Sequence, residues 1–483
     1  MNAAKEFDVA IIGAGPAGMA AALELNRVGA NVVVLDENAS VGGQIYRSVT
    51  SSPLRTNSDL LGQDYWSGRK LAEQFLATNV QRIASANVWA VSQHTASSGP
   101  ASFEIGYSVN SQANLLHAKH VLLATGAQER PMPISGWTLP GVITAGAAQT
   151  LLKTTAVVPT GRLVLAGCGP LLYLLAWQYL NANVKIDALL DTTPKGRLPS
   201  LWPYAFDFLR SPYFLKGLRL IREVSSKVRV VKHVSELVAE GQDKLASVSF
   251  SVGSAQETLT ADHLILHQGV IPNINLAQAI GVSLTWSETL KCWEPVCDEW
   301  GNTNVERIHV AGDAAGIAGA WAAEARGRVC AVEIAHQLGM MSDEQRDTQT
   351  RVFRQAYKNA TRGREFFDRL FQPVESFRRP KGDTVVCRCE EISAQQVRET
   401  VGIGCAGPNQ MKSYLRCGMG PCQGRFCAVT VTELIAEERG VSEAEVGHYR
   451  LRFPTKPLTL GELASLPQTD GSISAVVRLK KPV

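Results

Sequence analysis

Ten cysteines stand in this chain of 483 residues, and six of them fall between Cys387 and Cys427. Cys387 and Cys389 form a C-x-C pair. A helix-length segment later, Cys417, Cys422 and Cys427 follow at equal spacing, so either neighbouring couple supplies a second pair. In a reducing compartment such clustering argues for a metal centre rather than disulfides. Four thiolates bind a [2Fe–2S] core, whose potential is tuned by charge and by hydrogen bonds to sulfur. Gly418, Gly420 and Gly424 free backbone N–H groups to face sulfur, and Arg388, Arg416 and Arg425 offset a cluster's negative charge. Zinc held by four cysteines is the rival, for which C-x2-C pairs are the more usual spacing. Spacing alone leaves open which of the three later thiols is spare. Cys168, Cys292, Cys297, Cys330 and Cys405 read as small buried apolar residues, and the nine histidines form no metal-spaced group.

A second set of residues carries dinucleotide chemistry. Phe7 to Glu37 reads as a buried strand (Asp8–Ile12), a glycine turn, a helix from about Ala17 to Val28 and a second strand (Asn31–Leu35). Gly13, Gly15 and Gly18 fill the positions of G-x-G-x-x-G: a tight turn, close backbone approach to a pyrophosphate, and close helix–strand packing. Pro16 and Ala17 open the helix, where a missing amide hydrogen costs nothing. The helix N-terminus then presents free N–H groups to phosphate. Asp36 lies where an acid hydrogen-bonds a ribose, with Glu37 as the substitute. Just beyond, Gly42 and Gly43 let backbone lie close to a cofactor, with Gln44 beside them and Arg47 in reach of phosphate or flavin. No C-x-x-x-x-C pair follows these glycines, which removes a disulfide reductase. Ala124-Thr125-Gly126 ends another buried strand close to the dinucleotide, and Val305–Val310 runs into Gly312-Asp313. In a flavin enzyme that aspartate meets the ribityl chain or phosphate, and Gly316, Gly319 and Ala320 permit the following helix to approach the flavin. Together these three elements specify FAD.

The elements that position these groups repeat. Arg162 to Leu190 copies the opening pattern with Gly167, Gly169 and Pro170, but Leu172 stands where the third glycine belongs. A second nucleotide-binding fold follows, with hydride delivery from a nicotinamide doubtful. Lys195 and Arg197 are its candidate phosphate contacts for an adenine nucleotide. Residues 48–80 read as polar and irregular, and residues 82–120 as a small antiparallel sheet. The fold class is α/β: two dinucleotide-binding Rossmann domains in the glutathione-reductase manner, followed by a small [2Fe–2S] domain. The expected divisions are 1–145 (first part of the FAD domain), 146–278 (second nucleotide domain), 279–380 (rest of the FAD domain and a basic linker), 381–450 (cluster domain) and 451–483 (tail). From Arg351 to Lys381 the basic residues read as a solvated helix and linker. A net charge of +4 gives no argument for nucleic acid. The N-terminus lacks a signal-peptide layout, and the longest apolar run, Leu163–Trp177, is too short and glycine-broken to span a bilayer. A cytoplasmic protein is expected, with any membrane association peripheral and through a complex.

On these residues the chain resembles the large (A or alpha) flavoprotein subunit of bacterial opine oxidases, the octopine or nopaline dehydrogenases. It is similar too to the B subunit of hydrogen cyanide synthase and to the alpha subunits of hydroxyproline/proline dehydrogenases and sarcosine oxidase. The carriers are GAGPAGMAAA, GGQIYR, Ala124–Gln149, AGCGPLL, AGDAAGIAGA and the CRCEE and RCGMGPCQGRFC segments. The resemblance implies Cys422 and Cys427 as the second thiol pair, with Cys417 as the alternate. It implies an FAD- and [2Fe–2S]-containing electron-transfer subunit of a heteromeric dehydrogenase acting on a secondary amine or amino acid. An amino-acid-oxidase-like beta flavoprotein would oxidise the C–N bond, and electrons would pass to an acceptor such as quinone. FMN at a subunit interface and a small ferredoxin-like subunit belong to the same picture. No catalytic residue is assigned in this chain, consistent with substrate chemistry on the partner. The rival readings are a hydrogen cyanide synthase or D-hydroxyproline dehydrogenase component, and an autonomous NAD(P)H-dependent ferredoxin-type reductase.

Overall fold

A computed structural model describes residues 5–56, 58–94 and 102–466. Its first sheet begins with β1 (Glu6–Ile12), whose last four residues are buried on both faces. A helix, Pro16–Arg27, returns the chain to β2 (Val32–Leu35), and β3 (Gln81–Ile83) extends the same parallel edge. The hairpin β4 (Asn87–His94) and β5 (Ser102–Val109) leads into β6 (Gln112–Leu123). The first half of β6 pairs antiparallel with β5, and its second half pairs parallel with β1 and with the strand Ile308–Val310. The order is therefore β3-β2-β1-β6-β5-β4, with the late strand also on β6. Segments far apart in the sequence thus meet on one sheet, because a parallel strand needs a long crossover.

Residues 48–80 depart from the irregular expectation. Gln63–Leu76 is a helix that buries Tyr65, Gly68, Leu71, Ala72 and Phe75, a helical spacing masked by the charged residues between them.

The crossover carries a second parallel sheet, with Val230–Lys232, Ala188–Asp191, Leu163–Gly167, His263–His267 and Val142–Thr144 side by side. Its last strand precedes residue 146, so this sheet recruits chain from just ahead of the expected division. Leu172, in place of a third glycine, is fully buried in the helix Pro170–Asn181 and packs in the core shared with the first sheet. Three antiparallel strands, Glu236–Gly241, Leu245–Val252 and Ala255–Thr260, follow as a meander.

Val385–Cys387 and Ile392–Ser393 open the C-terminal unit, and the helices Ala394–Gly402, Pro408–Leu415 and Ala428–Arg439 close around a separate apolar core. That unit is tied to the rest by directed polar contacts. Trp137 donates to the Val385 carbonyl (2.7 Å), and Leu451 N–H donates to Gln278 (2.7 Å). Of the expected tail, residues 467–483 lie outside the described residues.

Candidate functional site

The turn after β1 is built by steric exclusion. An added Cβ at Gly13 would stand 2.3 Å from the Ala124 carbonyl oxygen, and one at Gly18 would stand 1.8 Å from the Gly13 oxygen. Gly15 differs, since among the described residues only the Gly43 Cα comes near such a Cβ, at 3.8 Å. Gly15 also caps the helix Pro16–Arg27 with no side-chain acceptor and no acid in the first turn, so the helix N–H groups face a backbone-lined cradle. Asp36 lies at its edge, accepting from Ala14 N (2.6 Å) through one oxygen and from Asn38 N (2.7 Å) through the other. Glu37, the substitute, turns away to Lys456 (2.8 Å). Burial pushes the Glu37 carboxyl up, but Lys456, Arg425 and Arg47 together hold it below its ordinary value.

Arg47 donates to Asn38 Oδ1, while its buried Nε has no partner among the described residues. Thr125 donates to the Asn273 carbonyl (2.9 Å), which ties Ala124–Gly126 to the returning chain. Gly312 sits where an added Cβ would be 2.7 Å from the Ala17 Cβ. One oxygen of Asp313 accepts from Ala318 N (2.9 Å) and Gly319 N (3.1 Å), closing the entry to the helix Ala320–Gln337. The structure therefore gathers Gly13, Gly15, Pro16, Ala17, Gly18, Asp36, Gly43, Ala124 and Gly312 at one turn.

Two cradle residues carry no sequence motif. Gly327 lets the helix Ala320–Gln337 lie against Ala17, where a Cβ would be 2.2 Å from the carbonyl oxygen. Lys153, from the second sheet's helix Ala145–Thr155, is almost wholly buried and donates to the carbonyls of Gln44 (3.1 Å) and Ile45 (2.9 Å). Burial, with Arg47 adding to it, brings that ammonium down to about 7.

At the second glycine turn the neighbours are engaged with protein. Asp191 accepts from Tyr173 (2.6 Å) and Thr193 N (2.8 Å). Arg197 donates to the Leu370 carbonyl (3.1 Å) and to that of Gln372, and Cys168 Sγ donates to the Phe371 carbonyl (3.4 Å). The chain at 370–372 therefore holds Arg197, one of the two expected phosphate contacts near Gly167, Gly169 and Pro170. Lys195 stays exposed.

In the C-terminal unit the sulfurs of Cys387, Cys417 and Cys427 all lie within 4.8 Å of one another. The thiols of Cys389, which is exposed, and Cys422 form a second contact. Cys417, spare in the expected set, is thus buried against Cys387. Hydrogen bonds from Cys417 and Cys427, then from the Gly418 and Glu390 amides, bring the Cys387 thiol down to about 2. Donating that bond pushes Cys417 up to about 12. Burial raises Cys422, against the Phe426 and Gly424 amides. Of the three loop glycines, Gly418 and Gly424 direct N–H groups at sulfur, while Gly420 makes room for the Cys389 Cβ, 2.3 Å from where its own would be. Of the arginines, Arg416 pairs with Glu390 (3.1 Å), Arg388 lies over the Trp137 ring, and Arg425 Nε donates to the Cys422 carbonyl (3.3 Å). Clustered thiols with backbone amides aimed at sulfur are a donor set that could hold a soft metal.

The thiol loop also touches the cradle's surroundings. Gln128, just past Gly126, donates to the Arg425 carbonyl (2.6 Å), and Asn275 donates to that of Gln423 (3.0 Å).

Comparison with known proteins matches residues 7–339 to the pyridine nucleotide-disulphide oxidoreductase family and residues 381–466 to the sarcosine oxidase A3 domain. The chain is 46% identical over 473 residues to the A subunit of opine oxidase from Agrobacterium tumefaciens (strain Ach5), covering 97% of this chain and 94% of that one. It belongs to the family of opine oxidase A subunits. The HcnB subunit of hydrogen cyanide synthase from Pseudomonas protegens is 29% identical, over 96% of this chain and 98% of that one. Among solved structures, L-proline dehydrogenase from P. horikoshii shares the fold at a TM-score of 0.68 and 20% identity, covering 96% of this chain and 81% of that chain. This member of the opine oxidase family is a flavoprotein oxidoreductase subunit of the FAD-dependent dehydrogenase type. Its α/β fold of the pyridine nucleotide-disulphide oxidoreductase class is followed by an A3 domain. The family implies FAD, and the cradle fits it: an uncapped helix N-terminus, a backbone-lined gap at Gly15 and Gly43, and the orphaned Arg47 Nε. No helix among the described residues is long and apolar enough to cross a membrane.

Proposed function

We propose that this chain is the electron-carrying subunit of a heteromeric dehydrogenase that oxidises the C–N bond of an opine or a related secondary-amine amino acid. The substrate gives up two electrons and two protons to become an imine, which water hydrolyses to an amine and a carbonyl compound. An amino-acid-oxidase-like beta flavoprotein performs that oxidation, and a quinone serves as acceptor. FMN at the subunit interface and a ferredoxin-like third subunit complete the assembly. Bound FAD exchanges electrons in pairs, and a [2Fe–2S] centre passes them singly. In this chain Gly13, Gly15, Gly18 and Gly43 shape the pyrophosphate cradle, Asp36 orders its edge, and Gln44 and Arg47 line the approach. The C-terminal thiols hold the metal centre.

The observation that carries this reading is the contact between the two candidate sites in one chain. Gln128 and Asn275 bond to the backbone of the thiol loop at Arg425 and Gln423, so the loop is held in register with the turn at Gly126. The engaged groups at the second glycine turn support a chain fuelled by a partner rather than by nicotinamide. The test is co-purification with the neighbouring gene products, then flavin, iron and acid-labile sulfide content, and dye reduction with a panel of opines and imino acids. Dye reduction by an opine only in the assembled complex is the expected result. Rapid flavin bleaching by NADH in the isolated chain would overturn it.

A further inference from the structure

After the strand Ala188–Asp191 of the second sheet the chain runs outward as two helices, Trp202–Leu209 and Tyr213–Lys227. The inner side of this hairpin is firmly held. Leu220, Ile221 and Val224 pack on the core shared by the two parallel sheets, and the Phe208 ring stacks on that of Phe366 with centroids 4.2 Å apart. The Tyr213 hydroxyl donates to the Ala360 carbonyl (2.8 Å), and an added Cβ at Gly363 would stand 2.8 Å from the Phe208 Cα. The hairpin therefore lies beside the basic linker, whose Lys358 and Arg362 are exposed.

Its outer side is apolar all the same. Trp202 is 78% exposed, Phe206 64% and Leu209 55%, at i, i+4 and i+7 on one helix face. Leu215 (75%) and Leu218 (56%) project from the second helix, three residues apart. A helix with one face on the core ordinarily turns polar side chains to water, so large apolar groups standing out on both helices mark an interaction surface.

The groups around them are cationic. Between Lys195 and Arg222 there are six lysines and arginines and one carboxylate, Asp207. Arg197 is engaged with the carbonyls at 370–372 and Lys216 pairs with Asp64, while Arg210, Arg219 and Arg222 are exposed. Arg219 follows Leu215 by four residues and Arg222 follows Leu218 by four, so cation and leucine share a face at each turn. The centre of a protein-docking face is depleted of charge. Leucines interleaved with long cationic side chains, and a tryptophan at the edge, suit a bilayer surface instead. There apolar tips enter the acyl boundary, indole sits at headgroup level and guanidiniums extend to phosphate.

We propose that this hairpin is a direct docking surface for an anionic lipid bilayer. Trp202, Phe206, Leu209, Leu215 and Leu218 enter the headgroup–acyl boundary, and Arg219, Arg222 and the linker's Arg362 meet the lipid phosphates. Membrane attachment is then a property of this chain itself, with no partner subunit needed to supply it.

The experiment sediments the purified full chain, alone and in its co-purified complex, with vesicles of phosphatidylglycerol and phosphatidylethanolamine, and in parallel with vesicles of phosphatidylcholine. Both preparations should bind the anionic vesicles, more weakly at high salt and more weakly on phosphatidylcholine. The double variant Trp202→Ser, Leu215→Ser should lower the partition coefficient at least about tenfold. The double variant Arg219→Gln, Arg222→Gln should lower it about fivefold per cation removed, on anionic vesicles only. All four side chains are exposed, so flavin content should stay at the native level. The arginine variant carries the test if the serine variant loses flavin. Equal binding to the two vesicle types, full binding by both variants, or no binding by the isolated chain overturns the proposal. Loss of co-purifying subunits in the serine variant would show that a protein covers the hairpin, which overturns it as well.

Discussion

Glu433 offers the sharpest test of how the C-terminal unit is held. It is fully buried on the helix Ala428–Arg439, paired with Arg378, and 3.8 Å from the Nε of Arg379. Arg130, itself buried, also acts on it. Burial pushes the Glu433 carboxyl up, and the three guanidiniums oppose that, with Arg379 shared among Glu433, Glu375 and Glu443. Glu433→Gln keeps the shape and removes the charge. Breaking a buried pair in this way costs about 3–5 kcal/mol. A unit pair about 4 Å apart at an effective dielectric of about 20 interacts by about 4 kcal/mol, which falls in the same range. Arg378→Met leaves the carboxylate with Arg379 and Arg130, so its cost should be smaller, about 1.5–3 kcal/mol. The double variant should cost less than the sum, with a coupling of about 1–3 kcal/mol. A chain of several sheets is not a two-state system, so the assay is native-state hydrogen exchange of the buried amides from Val431 to Ala436. Protection should fall by at least about two orders of magnitude in Glu433→Gln, since about 1.4 kcal/mol is tenfold. A fall of less than about tenfold, or strict additivity in the double variant, would refute the charge-balance argument.

His120 and His309 are buried partners (3.1 Å) whose imidazoles are brought down to about 4 and about 3, by burial first and by neighbouring positive charge second. Their folded values lie below the unfolded one, so unfolding takes up protons as pH drops below about 6.5. Stability should be flat in their term above that point and fall toward pH 4, and His309→Phe should flatten this acid limb in unfolding midpoints measured against pH. Gly327→Ala, which places a Cβ 2.2 Å from the Ala17 oxygen, should cost about 1–3 kcal/mol and release flavin on gel filtration. Gly217→Ala, where a Cβ meets nothing within 4 Å among the described residues, should instead stabilise its helix by up to about 1 kcal/mol. Lys153→Met strands the carbonyls of Gln44 and Ile45, and the flavin dissociation constant, read by fluorescence, should rise about tenfold, the equivalent of about 1.4 kcal/mol. An unchanged constant would show that the lysine does not hold that loop.

What the sequence settled alone is what short-range rules write down. The run from Phe7 to Glu37 is legible because strand period, glycine turn and helix start each depend on neighbours a few residues away, and they all agree. The same holds for the copy at Arg162–Leu190 and for the crowding of cysteines after Cys387. The helix Gln63–Leu76 escaped because five buried residues were scattered among charges that read as loop. Tertiary structure alone decided which thiol faces which, since Cys417, Cys422 and Cys427 are equally spaced and only the chain reversal after Leu415 brings Cys417 against Cys387. It alone brought Gly327 to Ala17, Lys153 to the Gln44 backbone and Glu433 to Arg378. Each of those pairs is formed by packing between segments, where excluded volume and the need to satisfy a buried polar group select the partner, and neither force leaves a periodic trace along the chain.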